Sequence, residues 1–225
     1  MIKVTEGMVL PTTMTGSYPK PNWYTQGLNG RSFKTAMGNT LFREQYLDAV
    51  AATISDQEMA GLDILTDGDS RFDLEVGGKS WFFYVLERLG GIQGSRDLSP
   101  GWSGDFGIRP GHILYEVQEA YQPPVVAEKL SAGPLEYAAL WKTAQKMSAK
   151  PIKFGTISSQ SLTRMVWNEF YPTEKELLLD LCDIMNQELR NLADSGCELI
   201  QMEEPRHHFM GLIPATKDED YAFFT

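Results

Sequence analysis

Five carboxylates fall at the ends of two short aliphatic runs that are laid out alike. One run is Gly61-Leu62-Asp63-Ile64-Leu65-Thr66-Asp67-Gly68-Asp69, with Asp73 close behind; the other is Gly196-Cys197-Glu198-Leu199-Ile200-Gln201-Met202-Glu203-Glu204-Pro205. Each reads as a glycine stop, a short strand and then acids. A pocket built from several carboxylates binds an amine, holds a metal ion, or divides into an acid and a base because neighbouring negative charges push their pKa values apart. The residues leave these three chemistries open. A lone Asp-Gly-Asp is equally well explained as a turn, but the same pattern at two strand ends favours a site, because parallel β/α units deliver functional groups to one face.

A second chemical feature is Gly16-Ser17, which offers backbone N–H groups and a hydroxyl to a small anion such as a carboxylate. No G-x-S-x-G elbow surrounds Ser17, so a serine nucleophile is not indicated. Anion donors on one strand and acids on others suit an amino-acid zwitterion. Glu203, Glu204, His207 and His208 can be drawn as a zinc site, but adjacent histidines point in different directions and the spacing matches no standard pattern. Cys197 lies at the other end of the same strand, about 20 Å from Glu203 at ~3.3 Å per residue, and is outside that cluster.

The elements that must position these groups alternate between strand and helix. Residues 10–17 read as a first strand closed by Gly16 and by Tyr18-Pro19-Lys20-Pro21. Asn39-Thr40 caps a helix over residues 41–60, with Phe42, Tyr46, Ala49, Val50 and Thr53 on one face and Gly61 as its stop. A strand over 63–66 follows. The block Trp81-Phe82-Phe83-Tyr84 has helical spacing and reads as core or interface. Residues 90–111 read as a surface excursion, 112–118 as a strand and 123–126 as an extended edge. A helix over 134–148, a strand over 152–157, a helix over 173–194 with a Thr173/Glu176 capping box, and a last strand over 198–202 complete the reading. The alternation predicts an α/β fold with a mostly parallel sheet, and the polar strand ends predict a barrel face. No G-x-G-x-x-G or Walker sequence indicates a nucleotide site.

The chain has 225 residues, 42% of them hydrophobic, which is enough for one core and one domain spanning residues 1–225. With 30 acidic against 20 basic residues the net charge is −10, which disfavours nucleic acid or an anionic membrane as partner. The only cysteines, Cys182 and Cys197, read as buried small hydrophobes in a reducing cytoplasm. No signal peptide and no run of eighteen apolar residues is present.

Thr12-Thr13-Met14-Thr15-Gly16-Ser17-Tyr18-Pro19, the 61–69 segment and Gln201-Met202-Glu203-Glu204-Pro205, in that order, resemble the catalytic barrel of the cobalamin-independent methionine synthase family over essentially the whole chain. The wider superfamily includes coenzyme M methyltransferases, epoxyalkane transferases and uroporphyrinogen decarboxylase. The resemblance implies a (β/α)8 TIM-barrel type fold, of which about the first five β/α units are present here as the N-terminal portion. It implies transfer of a methyl group to the zinc-bound thiol of homocysteine to make methionine, with a 5-methyltetrahydrofolate-type donor. By it, Thr15, Gly16 and Ser17 bind the amino-acid end of homocysteine. Asp69 takes the place of a glutamate that holds the ammonium, and Glu203 that of an aspartate in an Asp-Glu-Pro motif. Each change keeps the charge and moves the carboxylate by about one methylene.

Two family features have no counterpart. A tryptophan for stacking a pterin is absent near 155–162, and the family's zinc ligands, a histidine and cysteine two apart, a glutamate and a further cysteine, lie downstream of the Asp-Glu-Pro strand, where this chain has no cysteine. The expectation is therefore a zinc-dependent methyltransferase for the full protein, with this chain alone inactive and its catalytic residues unassigned. The alternatives are a thiol methyltransferase using methylcobalamin or coenzyme M chemistry, or a non-catalytic binding or assembly subunit. About five strands where closure needs eight also predicts an open barrel edge and a homo-oligomer through it.

Overall fold

The computed structural model describes residues 3–73, 80–96, 110–111 and 122–204. Within them a short helix α1 (Phe33–Ala36) leads to α2 (Thr40–Met59), α3 (Ser80–Leu86), strands β1 (Gly90–Ser95) and β2 (Pro124–Ser131), and α4 (Tyr137–Gln145). Then come β3 (Phe154–Ile157), α5 (Ser159–Arg164), β4 (Trp167–Asn168), α6 (Glu174–Asp194) and β5 (Ile200–Glu203).

The two long helices form where local signals agree with burial. Asn39 caps α2 by accepting from the Phe42 N–H at 2.9 Å, and Phe42, Tyr46, Ala49, Val50, Thr53, Ile54 and Gln57 make its buried face. The capping box of α6 is formed in both directions between Thr173 and Glu176, and Leu177, Leu181, Met185 and Leu192 are buried beneath it. Gly61 and Gly196 end these helices in the left-handed region, at φ 78° and 106°.

β3 and β5 pair in parallel, with Gly155 opposite Gln201 and Ile157 opposite Glu203. An isolated parallel bridge between Leu65 and Ile152 places the 63–66 segment on the other side of β3. Helices intervene between these segments along the chain, which is the expected α/β alternation. A second sheet runs β1-β2-β4, antiparallel between β1 and β2 and parallel between β2 and β4. Among the described residues nearly all the buried hydrophobic side chains join one contiguous cluster.

Several expectations need correction. Residues 10–17 do not form a strand. Thr12 alone does the pairing: its carbonyl accepts from Asp63 N and Ile64 N, while its own N–H and hydroxyl both donate to the Asp63 carboxylate at 2.8 Å. Side-chain bonding to that carboxylate replaces the regular ladder that a strand needs. The 63–66 run is likewise reduced to its one bridge. Residues 90–95 are β1 rather than part of a surface excursion, and α5 and β4 had no clear signal in so short a span. The expected strand over 112–118 lies outside the described residues. The aromatic block is core: Phe82 and Tyr84 are buried, and the Tyr84 hydroxyl donates to the Leu135 carbonyl at 2.6 Å. A closed eight-stranded barrel is not shown. Among the described residues no helix is long and apolar enough to cross a membrane.

Candidate functional site

The turn after Leu65 is clamped from below. Gln57 on α2 accepts from the Thr66 N–H and donates to the Thr66 carbonyl, both at 2.9 Å, which fixes the backbone just before the acids. Gly68 then turns at φ 67°, where a Cβ would lie 2.6 Å from Thr53 Cγ2 and 2.8 Å from Tyr18 Cβ. The Gly68 carbonyl accepts from Tyr18 N at 2.9 Å, which brings the 15–18 segment to this turn. Asp69 itself is left-handed at φ 54°.

Arg71 folds back beneath the turn. Its Nη1 lies 2.9 Å from Asp69 Oδ1 and 3.6 Å from Asp67 Oδ2, and Nη2 donates to the Gly155 carbonyl at 2.7 Å. The guanidinium sits against the rings of Phe72 and Phe154, 4.2 and 4.6 Å from their centroids. Burial works against its charge, but Asp69 and Asp67 outweigh that cost and hold its pKa up. Asp67 is enclosed; burial pushes its carboxyl pKa up, Arg71 opposes and Asp69 adds. Arg71 thus orients Asp69 and ties it to β3.

The five carboxylates take separate roles. Asp67 is enclosed beneath the turn, its Oδ1 accepting from Asp69 N at 3.0 Å and its Oδ2 lying 3.6 Å from Arg71 Nη1, whose shorter contact is to Asp69. Asp73 accepts from Leu28 N at 2.6 Å and Asn29 N at 2.8 Å, so it orders the loop before α1. Glu204 accepts from the Ser158 and Ser161 hydroxyls at the start of α5. Asp69 and Glu203 remain, and they meet over β3: a Cβ placed on Gly155 would lie 4.0 Å from Asp69 Oδ1 and 4.0 Å from Glu203 Oε1. Gly155 thus leaves the space between two carboxylates open. Burial, with Asp69 adding, pushes the Glu203 carboxyl pKa up, while Gln201, Arg71 and Lys153 pull it down.

Thr15 and Ser17 border this space. Ser17 Oγ donates to Asp69 Oδ2 at 3.3 Å, and Gln201 Nε2 donates to Thr15 Oγ1 at 2.9 Å and to Glu203 Oε1 at 2.7 Å. Gly16, at φ 80°, has open space around its missing side chain. Thr15, Gly16, Ser17, Asp69 and Glu203 therefore come together from three segments far apart in sequence. Sequence reasoning missed Lys153, Gln201, Gly155, Ser158 and Ser161. A lone lysine inside the Ile152–Phe154 run was the available signal for the first, and glycine two residues later for the third.

Cys197 is buried, its Sγ donates to the Leu199 carbonyl at 3.4 Å, and burial pushes its thiol pKa up. His207 and His208 lie outside the described residues. A hollow of 420 Å³ bordered by Asn29, Asp73 and Glu87 shares none of the residues that meet over Gly155.

No family model matches the chain. Methionine synthase from Sulfurisphaera tokodaii is 28% identical over 200 residues, covering 89% of this chain and 53% of that protein. The methionine synthase from Saccharolobus solfataricus is 30% identical over 202 residues, 89% of this chain and 54% of that protein. The chain thus spans about half the length of the curated relatives it matches. Among solved structures, a B12-independent methionine synthase from a Shewanella species, in complex with selenomethionine, superposes with a TM-score of 0.66 at 21% identity. That match covers 95% of this chain and 56% of the other. A putative vitamin-B12-independent methionine synthase from Listeria monocytogenes gives 0.57 at 16% identity, covering 87% and 52%. At these identities the structural likeness carries the mixed α/β fold.

Proposed function

We propose that this chain, similar over 89% of its length to methionine synthases, carries the amino-acid-binding part of a methyltransferase that moves a methyl group to the thiol of homocysteine. The observation that carries the reading is the bare Gly155 floor between Asp69 and Glu203, with Thr15 and Ser17 at its border. An ammonium group fits between the two carboxylates, which accept its N–H bonds. Hydrogen bonds of that charged kind contribute about 1.5–3 kcal/mol each. The Thr15 hydroxyl and the backbone N–H groups of Gly16 and Ser17 are the donors proposed to take the carboxylate of the same ligand. Binding at both ends would hold the side-chain sulfur at a set distance from the site, which is the positioning that transfer to it requires.

A 5-methyltetrahydrofolate-type compound is the proposed methyl donor, on the family resemblance. Zinc is the metal the family implies, and it would keep a bound thiol deprotonated near neutral pH. Among the described residues no group of three His, Cys, Asp or Glu side chains is arranged to hold a metal ion, and neither free cysteine, Cys182 or Cys197, belongs to such a group. The described residues do not fit zinc, and no step is assigned to it. Residues 1–225 are proposed to form one unit of a methionine-synthase-like barrel, acting on small molecules in the cytoplasm.

Calorimetric titration with L-methionine and with its desamino analogue tests the reading. Methionine is expected to bind at least about tenfold more tightly, because only it carries the ammonium. Absence of methionine binding, or equal affinity for the two, would overturn the assignment.

A further inference from the structure

We propose that Lys153 and Gln201 are positioning residues that decide which way round a zwitterionic ligand lies in this site. The inference rests on the amino-acid-binding reading above and adds to it the origin of the site's polarity.

An ammonium has three donors and no acceptor. Lys153 Nζ spends two of them, on the Met14 carbonyl at 2.7 Å and on Gln201 Oε1 at 2.6 Å. Because the ammonium can accept nothing, the Gln201 oxygen must face it and the amide NH2 must face away. An amide's two ends are alike in shape, and here chemistry alone selects between them. The NH2 then donates to Thr15 Oγ1 at 2.9 Å and to Glu203 Oε1 at 2.7 Å.

Two consequences follow for a ligand. The Thr15 oxygen already accepts from Gln201, so its own proton is left to donate outward, toward an anion. Glu203 is held by one bond and keeps its remaining lone pairs for a cation. The amide also stands between Lys153 and Glu203, so their opposite charges do not collapse into a direct ion pair, and the carboxylate stays available. One end of the site therefore donates and the other accepts. With the amide reversed, its oxygen would confront Glu203 and the polarity would be lost. The same contacts join residues 14 and 15 to Lys153, just before β3, and to Gln201 on β5, so the relay also sets the distance between the two ends.

The test uses the whole 225-residue chain and its K153M, K153R and Q201L variants, each checked for folding by circular dichroism and titrated with L-methionine and its desamino analogue. K153M and Q201L are expected to lose about tenfold in methionine affinity with little change for the analogue, so that discrimination falls, and K153R is expected to restore part of it. The charged groups facing Glu203 are Asp69, Arg71 and Lys153; burial and Asp69 oppose its ionised form, while Gln201, Arg71 and Lys153 favour it. Removing the Gln201 bond should therefore move the acid limb of methionine binding to higher pH. Folded K153M and Q201L proteins with wild-type discrimination and an unmoved acid limb would overturn the relay and leave the binding reading standing. Equal loss of both ligands would also overturn it, since it marks a merely structural role. A wild-type chain that does not bind methionine would overturn the binding reading, and the relay with it.

Discussion

What matters at Gly155 is a side chain that is absent. A Cβ at this position would meet only Asp69 Oδ1 and Glu203 Oε1, each at 4.0 Å, which is ordinary van der Waals contact. The position lies in β3 without a positive φ, so alanine is tolerated by the backbone. Gly155→Ala is expected to leave the thermal midpoint within a few degrees of wild type, since exposed or half-exposed changes usually stay within about 0.5 kcal/mol. Methionine binding should nevertheless fall by at least about tenfold as the methyl fills the space between the carboxylates. Comparing a melting curve with a calorimetric titration checks both halves. An unchanged affinity would remove Gly155 from the site.

At the same scale the sequence was informative in part. Gly16, Ser17, Asp69 and Glu203 stood out as donors and acids near strand ends, Thr15 entered only through the family resemblance, and the fold brings Ser17 to Asp69 and links Thr15 to Glu203 through Gln201. Asp67 and Asp73 looked equivalent to Asp69 in sequence and are not. Asp67 is buried and accepts from the Asp69 N–H, and Asp73 accepts from the backbone at Leu28 and Asn29. Lys153 and Gln201 were invisible as partners because residues separated by 48 positions meet only once β3 and β5 pair.

The elements themselves were more legible where several local signals coincided. Helix α6 has its capping box, an apolar stripe and a glycine stop, and it forms over nearly the expected span. Thr173→Ala removes the hydroxyl that accepts from Glu176 N at 3.2 Å and that donates to the Glu176 carboxylate at 3.1 Å. A loss of about 1 kcal/mol in chemical denaturation is expected, as is usual for an N-cap serine or threonine. No measurable loss would mean that tertiary packing alone holds the first turn. Residues 10–17 show the opposite case. Their composition suits a strand, but a strand exists only if a neighbour offers a matching row of donors and acceptors, and here Asp63 bonds Thr12 through its side chain instead. Short segments such as α5 and β4 carry too few residues for periodicity to register.

For the molecule as a whole, the acid-rich composition hides an internal balance of opposite sign. Lys20 Nζ is buried with no hydrogen-bond partner among the described residues, 5.0 Å above the Tyr24 ring. Burial pulls its pKa from 10.5 down to about 8, with Asp73, Asp69 and Asp67 resisting and Arg71 assisting. A lysine whose folded pKa is depressed contributes stability above its unfolded pKa, and that contribution is lost as pH falls through the folded value. Relative to Lys20→Met, the wild-type unfolding free energy should rise between pH 8 and 10.5, the window set by the two pKa values. The total rise should be about 3 kcal/mol, and the variant should be the more stable at neutral pH. Denaturation at a series of pH values checks this, and parallel curves for the two proteins would contradict it.

By itself the sequence determined the α/β alternation, the two long helices, the acidic charge and the small set of residues worth testing. These rest on interactions between near neighbours: caps, helical periodicity and glycine stops are complete within a few residues. Only the tertiary structure decided which carboxylates share a space, which are consumed by buried partners, and which way the Gln201 amide points. Those outcomes depend on distances between segments as far apart as Thr15 and Gln201, separated by 186 positions. Local spacing cannot encode such distances until packing has set them.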